Sequence, residues 1–149
     1  MRHAVRAIVV KDGQLLVMHR NKFGHQYYAL VGGGIDHGES QEQALYREVQ
    51  EEAGITIANP RMVIHEDAGE IYGIQYIYLC DYVSGEPQLD ASSEEAQIHQ
   101  LGQNLYQPLW VPIADLPQLE LLPQELKRVL IEMLEKGFPE QPIQLTIAS

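Results

Sequence analysis

Apolar residues along this chain keep a period near two at first, shift to a helical period in the second quarter, and return to period two further on. Residues 4–10, "AVRAIVV", favour a strand. "KDGQ" at 11–14 reads as a tight turn, with Asp12-Gly13 supplying positive φ, and "LLVMHR" at 15–20 returns as the second arm of a hairpin. The polar and aromatic run "NKFGHQYY" at 21–28 is expected to be a loop, and "ALVGGG" a short strand entering a glycine turn. Residues 40–53 carry the clearest helical signal. Ala44, Leu45, Val49 and Ala53 form a narrow apolar stripe, Ser40 with Gln43 makes a capping box, and Gly54 stands where a left-handed residue ends a helix.

Two further strands are predicted, a short one at 62–67 and a longer one at 71–83. In the second, Tyr72, Tyr76 and Tyr78 share one parity and Ile71, Ile77 and Leu79 the other. "SGEP" at 84–87 is a turn, and the weakly patterned residues 88–104 a loop. A strand around 109–111 leads into a short helical turn. Pro123 suits the first position of a last helix running to about Lys136 and closed by Gly137. The tail to Ser149 is left open between strand and irregular structure. No repeat or linker interrupts the pattern, so residues 1–149 are expected to form one domain with a single sizeable core.

Charge changes the picture. Ten basic against 21 acidic residues give a formal net charge of −11. A chain of that sign repels nucleic-acid backbones and anionic membranes, so neither polymeric nucleic acid nor a membrane is an expected partner. A small anionic substrate remains compatible, because a bound divalent cation reverses the local field. Cys80 is the only cysteine and can form no internal disulfide, and the first apolar run is too short for a signal peptide. Both features fit a cytoplasmic protein. The oligomeric state is open, a homodimer included.

The acidity concentrates behind the glycines. Glu39, Glu42, Glu48, Glu51 and Glu52 fall within fourteen positions. On a helix Glu48 and Glu52 are four apart and Glu51 three from Glu48, so the three are expected on one face, roughly opposite the Leu45/Val49 stripe. Such a cluster is either a solvated acidic face or a site for a hard cation such as Mg²⁺ or Mn²⁺. Gly32-Gly33-Gly34 would let backbone groups approach a phosphate or a metal-bound oxygen.

The stretch "GGIDHGESQEQALYREVQEEAGI", residues 33–55, resembles the Nudix hydrolase family at every defined position of its box: Gly33, Glu39, Arg47-Glu48, Val49, Glu51-Glu52, Gly54 and Ile55. The likeness extends loosely from residue 4 to about 135, with "YALVGG" before the box and "LWVPIADLP" late in the chain. The resemblance implies an α/β fold, a Nudix-type α/β/α sandwich in which a mixed, curved sheet lies between helices 40–53 and 123–136. It also implies a pyrophosphohydrolase that cleaves a nucleoside diphosphate linked to another group by water attack on phosphorus, using Mg²⁺ or Mn²⁺. Glu48 and Glu52 would be the principal metal ligands and Glu51 a further ligand or the base. Glu39 would contact the metals or position Arg47, Arg47 would orient carboxylates, and the Gly33 carbonyl would face a metal. A later acidic residue, Glu94 or Glu95, would serve as ligand or base. The rival reading is a non-catalytic nucleotide or ADP-ribose sensor on the same fold. Retention of all four box glutamates favours the enzyme. An isoprenoid diphosphate isomerase would need a catalytic cysteine that Cys80 does not supply.

For substrate contacts, Arg20 reads either as a phosphate partner or as a surface ion pair. Tyr28, Tyr72 and Tyr76 are stacking candidates or half-buried strand residues, and His37 lies in the loop expected to face phosphate. By the offsets that separate Nudix subfamilies, Glu70 stands where a proline would suggest ADP-ribose, while Tyr72 falls where a tyrosine suggests dinucleoside polyphosphates. The small nucleotide substrate is therefore expected to be a nucleoside triphosphate or a dinucleoside polyphosphate rather than a sugar nucleotide.

Overall fold

The structure, a computed structural model, describes residues 1–88 and 104–148. Its elements in chain order are β1 (His3–Lys11), β2 (Gln14–Lys22), β3 (His25–Ala29), β4 (Val31–Gly34), α1 (Gln41–Ala53), β5 (Thr56–Asp67), α2 (Gly69–Tyr72), β6 (Ile74–Ser84), β7 (Asn104–Pro112), a 3-10 turn (Ile113–Gln118), α3 (Gln124–Lys136) and β8 (Ile143–Thr146). The main strand order is β3-β2-β1-β6-β5-β8, with β4 beside β1 and β7 beside β2. Pairings β1–β6 and β5–β8 are parallel and the rest antiparallel, so the sheet is mixed. Strand β1 pairs with β2 only at Val10 and Lys11, and its earlier half takes β4 instead. The sheet therefore splays between β4 and β2.

Alternation along β1 divides the core. Val5, Ala7 and Val9 turn to α1, where they meet Ala44, Leu45, Val49 and Ala53. Ile8 turns the other way, with Val17, Ile64 and Ile77, to meet Leu126, Leu130 and Met133 of α3. Period two in the strands thus feeds two apolar layers, one under each helix, and gives the expected α/β/α sandwich. Cys80 is a core residue whose thiol burial pushes up to about 12. Among the described residues no helix is long and apolar enough to cross a membrane.

Several elements differ from the sequence reading. The segment 21–28 is not a loop: β2 continues to Lys22, turns at Phe23-Gly24 with φ of 52° and 93°, and returns as β3. The three glycines are not a turn but the body of β4, in register with Ala4, Val5 and Arg6. Strand β5 is a twelve-residue strand with register shifts rather than a short run. Ile71 and Tyr72 leave the strand for the short helix α2, whose first residue Gly69 and C-cap Gly73 both take positive φ, and β6 begins at Ile74. Pro123 caps α3 from just outside it, and the tail forms β8. Most of the loop expected at 88–104 lies outside the described residues.

Candidate active site

Helix α1 starts as its sequence dictates. The Ser40 hydroxyl accepts from Gln43 N–H at 3.1 Å, and the Gln43 side chain accepts from Ser40 N–H at 2.9 Å. It ends at Gly54 in the left-handed conformation. The Tyr78 hydroxyl donates to Gln41 Oε1 at 2.6 Å and ties the first turn to β6. The acidic residues do not lie opposite the apolar stripe. At about 100° per residue, Glu52 falls only about 20° from Leu45 and Glu48 about 60° from it. Both are accordingly buried, at 9% and 8% exposure for Glu48 and Glu52, while Glu51 sits at the edge with its side chain 44% exposed.

The glycines of β4 make room for this. A Cβ on Gly33 would lie 2.3 Å from Glu48 Oε2, so the carboxylate occupies the space a side chain would fill. A Cβ on Gly32 would meet the Val5 carbonyl oxygen at 1.9 Å. Glycine at these positions lets α1 press a charged group against the backbone of the sheet.

Arg47 gathers the carboxylates. Its Nε donates to Glu39 Oε2 at 2.7 Å and its Nη2 to Glu39 Oε1 at 2.8 Å, a two-pronged contact. Its Nη1 donates to Glu48 Oε1 at 2.7 Å and to Glu51 Oε2 at 3.2 Å, and its Nη2 to the Gly34 carbonyl at 3.0 Å. Asp36 stands 3.4 Å away. Glu39 also accepts from Asp36 N–H at 2.8 Å, which folds the 35–40 loop back onto the helix. The Arg47 hydrogen bonds, then the Asp36 amide, hold the Glu39 carboxyl down at about 2. Glu39 in turn raises the guanidinium's affinity for its proton, with Glu48 contributing and burial opposing.

A family model described as the NUDIX domain matches residues 1–133. The chain belongs to the Nudix family. The relatives and solved structures it matches include proteins named as hydrolases. The NAD-capped RNA hydrolase NudC of Photobacterium profundum is 30% identical over 111 residues, 74% of this chain and 38% of that protein. The chain spans less than half the length of such curated relatives. The MutT NUDIX hydrolase structure from Burkholderia pseudomallei superposes at a TM-score of 0.65 with 24% identity, covering 88% of this chain and 95% of that one. An ADP-ribose pyrophosphatase from Streptococcus suis, 18% identical and 98% covered on both sides, gives 0.66.

Nudix hydrolases generally use divalent metals. Among the described residues, no three carboxylate, imidazole or thiolate groups stand close enough to cage a cation by themselves. That is compatible with Mg²⁺, which commonly binds through one or two carboxylates plus substrate phosphates. Two buried carboxylates one turn apart, an edge carboxylate beside them and a glycine strand at close approach form a hard-oxygen donor set that fits such an ion.

The remaining predicted residues scatter. Arg20 is stacked on Tyr106, 4.4 Å from its centroid, donates to the Tyr106 hydroxyl at 2.5 Å, and has Tyr27 on another side. Among the described residues it forms no ion pair, and it is not part of the Arg47 cluster. Tyr28 stacks on His19 and packs into the layer beneath α3. Tyr76 is hydrogen-bonded to His3 Nδ1 at 2.9 Å and packs on the α1 side. Tyr72 is 61% exposed on α2, and His37 is exposed in the 35–40 loop. Glu94 and Glu95 lie outside the described residues.

Sequence reasoning missed a polar row on the α3 face of the sheet. Arg6 of β1 donates from Nε to Gln75 Oε1 of β6 at 3.1 Å and from Nη1 to the Leu30 carbonyl at 3.4 Å. Gln75 Nε2 donates to the Tyr72 carbonyl at 2.7 Å, and Glu66 of β5 stands opposite Gln75 in the strand register. The signal was available: Arg6 shares parity with Ile8, Glu66 with Ile64 and Gln75 with Ile77, all inward positions.

Proposed function

We propose that this protein is a divalent-metal-dependent pyrophosphohydrolase that cleaves the pyrophosphate bond of a nucleoside diphosphate linked to another group, by water attack on phosphorus. The observation that carries this reading is the pair of buried carboxylates Glu48 and Glu52 on α1, with Glu48 filling the Cβ space of Gly33. Hard divalent cations take oxygen ligands of this kind, and the Arg47 guanidinium beside Glu48 orients the donor set.

Glu48 and Glu52 would hold Mg²⁺ or Mn²⁺, with Glu51 and the Gly33 carbonyl adding oxygen ligands. Such an ion, when bound, neutralises the bridging phosphates and lowers the pKa of a bound water. Glu51, the most exposed of the three, takes the proton of the attacking water. Arg47 holds Glu48 and Glu51 in fixed rotamers, and Glu39 fixes Arg47 from the other side. Glu95 supplies a further acidic group from beyond β6. Nucleoside triphosphates and dinucleoside polyphosphates remain the favoured substrates. The NudC relatives add pyrophosphate-linked dinucleotides such as NAD to that set, and the −11 charge favours the free compound over capped RNA.

The test is a product-release screen with Mg²⁺ and Mn²⁺ across triphosphates, dinucleoside polyphosphates, NAD⁺ and ADP-ribose. Turnover of at least one compound is expected, and Glu52→Gln should cut it by orders of magnitude while leaving the fold intact. Near wild-type turnover by the variant contradicts the assignment.

A further inference from the structure

Three polar side chains cross the α3 face of the sheet in a row: Arg6 on β1, Gln75 on β6 and Glu66 on β5. Their neighbours on that face, Ile8, Ile64 and Ile77, are fully buried hydrophobics. Gln75 is satisfied at both ends, by Arg6 and by the Tyr72 carbonyl. Glu66 is not. It is 3% exposed, and its buried Oε1 has no hydrogen-bond partner among the described residues. A buried acceptor left unmade costs about 1–3 kcal/mol, more for a charged one, and folding alone gives no reason to retain it.

The row is coupled to the Nudix glutamates. Burial lowers the Arg6 pKa, and Glu52 first, then Glu48 and Glu66, pull it back up. The charge of Arg6 is thus felt by the carboxylates of α1 as well as by Glu66. On the open side, the Tyr72 carbonyl that Gln75 holds belongs to α2, where Ile71 and Tyr72 are 82% and 61% exposed.

We infer that Glu66, with Arg6 beside it, is the subsite for the polar edge of the group carried by the substrate, accepting a hydrogen bond from an amino group on that edge. The inference rests on the pyrophosphohydrolase reading and deepens it. The chemistry required is an N–H₂ donor next to an acceptor: the amino group faces Glu66 and the acceptor faces Arg6. The amino-bearing edge of a nucleobase offers this pattern, and so does a nicotinamide carboxamide. An oxo or carboxylate group in place of the amino group meets the Glu66 carboxylate lone pair to lone pair. Sites built to hydrogen-bond a substrate group reject the analogue that lacks it strongly.

The charge of Glu66 should tune the preference. Burial pushes its carboxyl up to about 7, with Arg6 opposing and Glu125 of α3 adding to the rise. Arg6 and Glu125 are the charged groups acting on it, since Gln75 and Leu145 stand opposite it on the two neighbouring strands. Above that pH the carboxylate only accepts. Below it, the protonated acid can also donate, and discrimination against an oxo group should fall.

The test compares wild type with Glu66→Gln on matched pairs: ATP against ITP, NAD⁺ against its hypoxanthine analogue, and NAD⁺ against its nicotinic acid analogue. Wild type should favour the amino member of one kind of pair at least tenfold in kcat/KM at pH 8, less at pH 6. The pair affected separates base from carboxamide. Glu66→Gln, whose amide both donates and accepts, should bring the ratio within about twofold of unity at both pH values. Ratios identical in the two proteins overturn the proposal, as does a change in melting temperature alone. If wild type turns over none of the compounds, the catalytic reading fails, and equilibrium binding of the same pairs decides the subsite. No difference in affinity within any pair overturns it there too.

Discussion

Two arginines in this protein meet carboxylates in opposite ways. Arg47 is surrounded: Glu39, Glu48 and Glu51 all accept from it, and its neighbours leave few of its donors idle. Among the described residues, Arg6 donates to a carboxamide and a carbonyl, while Glu66 keeps an unpartnered oxygen. One cluster is closed on itself and rigid; the other holds an unmade bond. The difference teaches which site the fold builds for itself and which it leaves for something else to complete.

Breaking the closed cluster should have the larger effect. Arg47→Gln takes from buried Glu48 the guanidinium that donates to it at 2.7 Å. Removing one partner of a buried pair costs about 3–5 kcal/mol, and Arg47 is a quarter exposed, so the lower end, about 3 kcal/mol, is expected. For a chain of this size that is a fall in melting temperature of roughly 10 °C. A divalent ion should restore part of it by replacing the lost positive charge. A fall of under 2 °C would mean that the Arg47 contacts are not structural.

The open cluster should show itself through pH. Folded Glu66 keeps its proton to about pH 7, whereas its ordinary value is 4.5. The native state then binds the extra proton between those values, so this group's contribution to stability falls as pH rises through the window. Glu66→Gln removes the penalty. The variant should be more stable than wild type by about 1–3 kcal/mol at pH 8 and nearly equal to it at pH 5, read by denaturant melts. Glu39 runs the other way. Its carboxyl is held at about 2, so its contribution is complete above its ordinary value of 4.5 and is lost as pH falls towards 2. Parallel pH curves for wild type and Glu66→Gln would remove the contrast.

A smaller effect is expected at Tyr72. Its ring is exposed on α2 and its carbonyl is held through Gln75 by Arg6. Stacking on a base is worth on the order of 1–3 kcal/mol. Tyr72→Ala should lower kcat/KM for a dinucleotide about tenfold, affect a mononucleotide less, and leave the melting temperature nearly unchanged. An equal loss on both substrates with a lower melting temperature would assign Tyr72 to packing.

The closed cluster was legible in the sequence because its signals are local. Capping box, helical stripe, terminal glycine and the box residues all fall within residues 33–55. What the residues hid was direction. Placing Glu48 and Glu52 opposite the Leu45/Val49 stripe ignored how near they fall to Leu45 on the helical wheel. The glycines of β4 read as a turn because glycine disfavours strands, but close approach of α1 requires them there. The β2–β3 hairpin was missed because the outer residues of β3 are polar and its turn, Phe23-Gly24, lacks the usual pair. The polar row needed three strands in register before its members met, and no single segment announces that.

The central claim is that the buried carboxylates of α1 hold a metal, and Mn²⁺ binding tests it without reference to any substrate. Titration of wild type should show a saturable site, and at 100 times its dissociation constant the metal should add about 2.7 kcal/mol of stability. Glu48→Gln/Glu52→Gln should lose both the site and the stabilisation, and chelator should return wild type to its starting melting temperature. An equal response in wild type and double variant would show only screening of the −11 charge and would contradict the account.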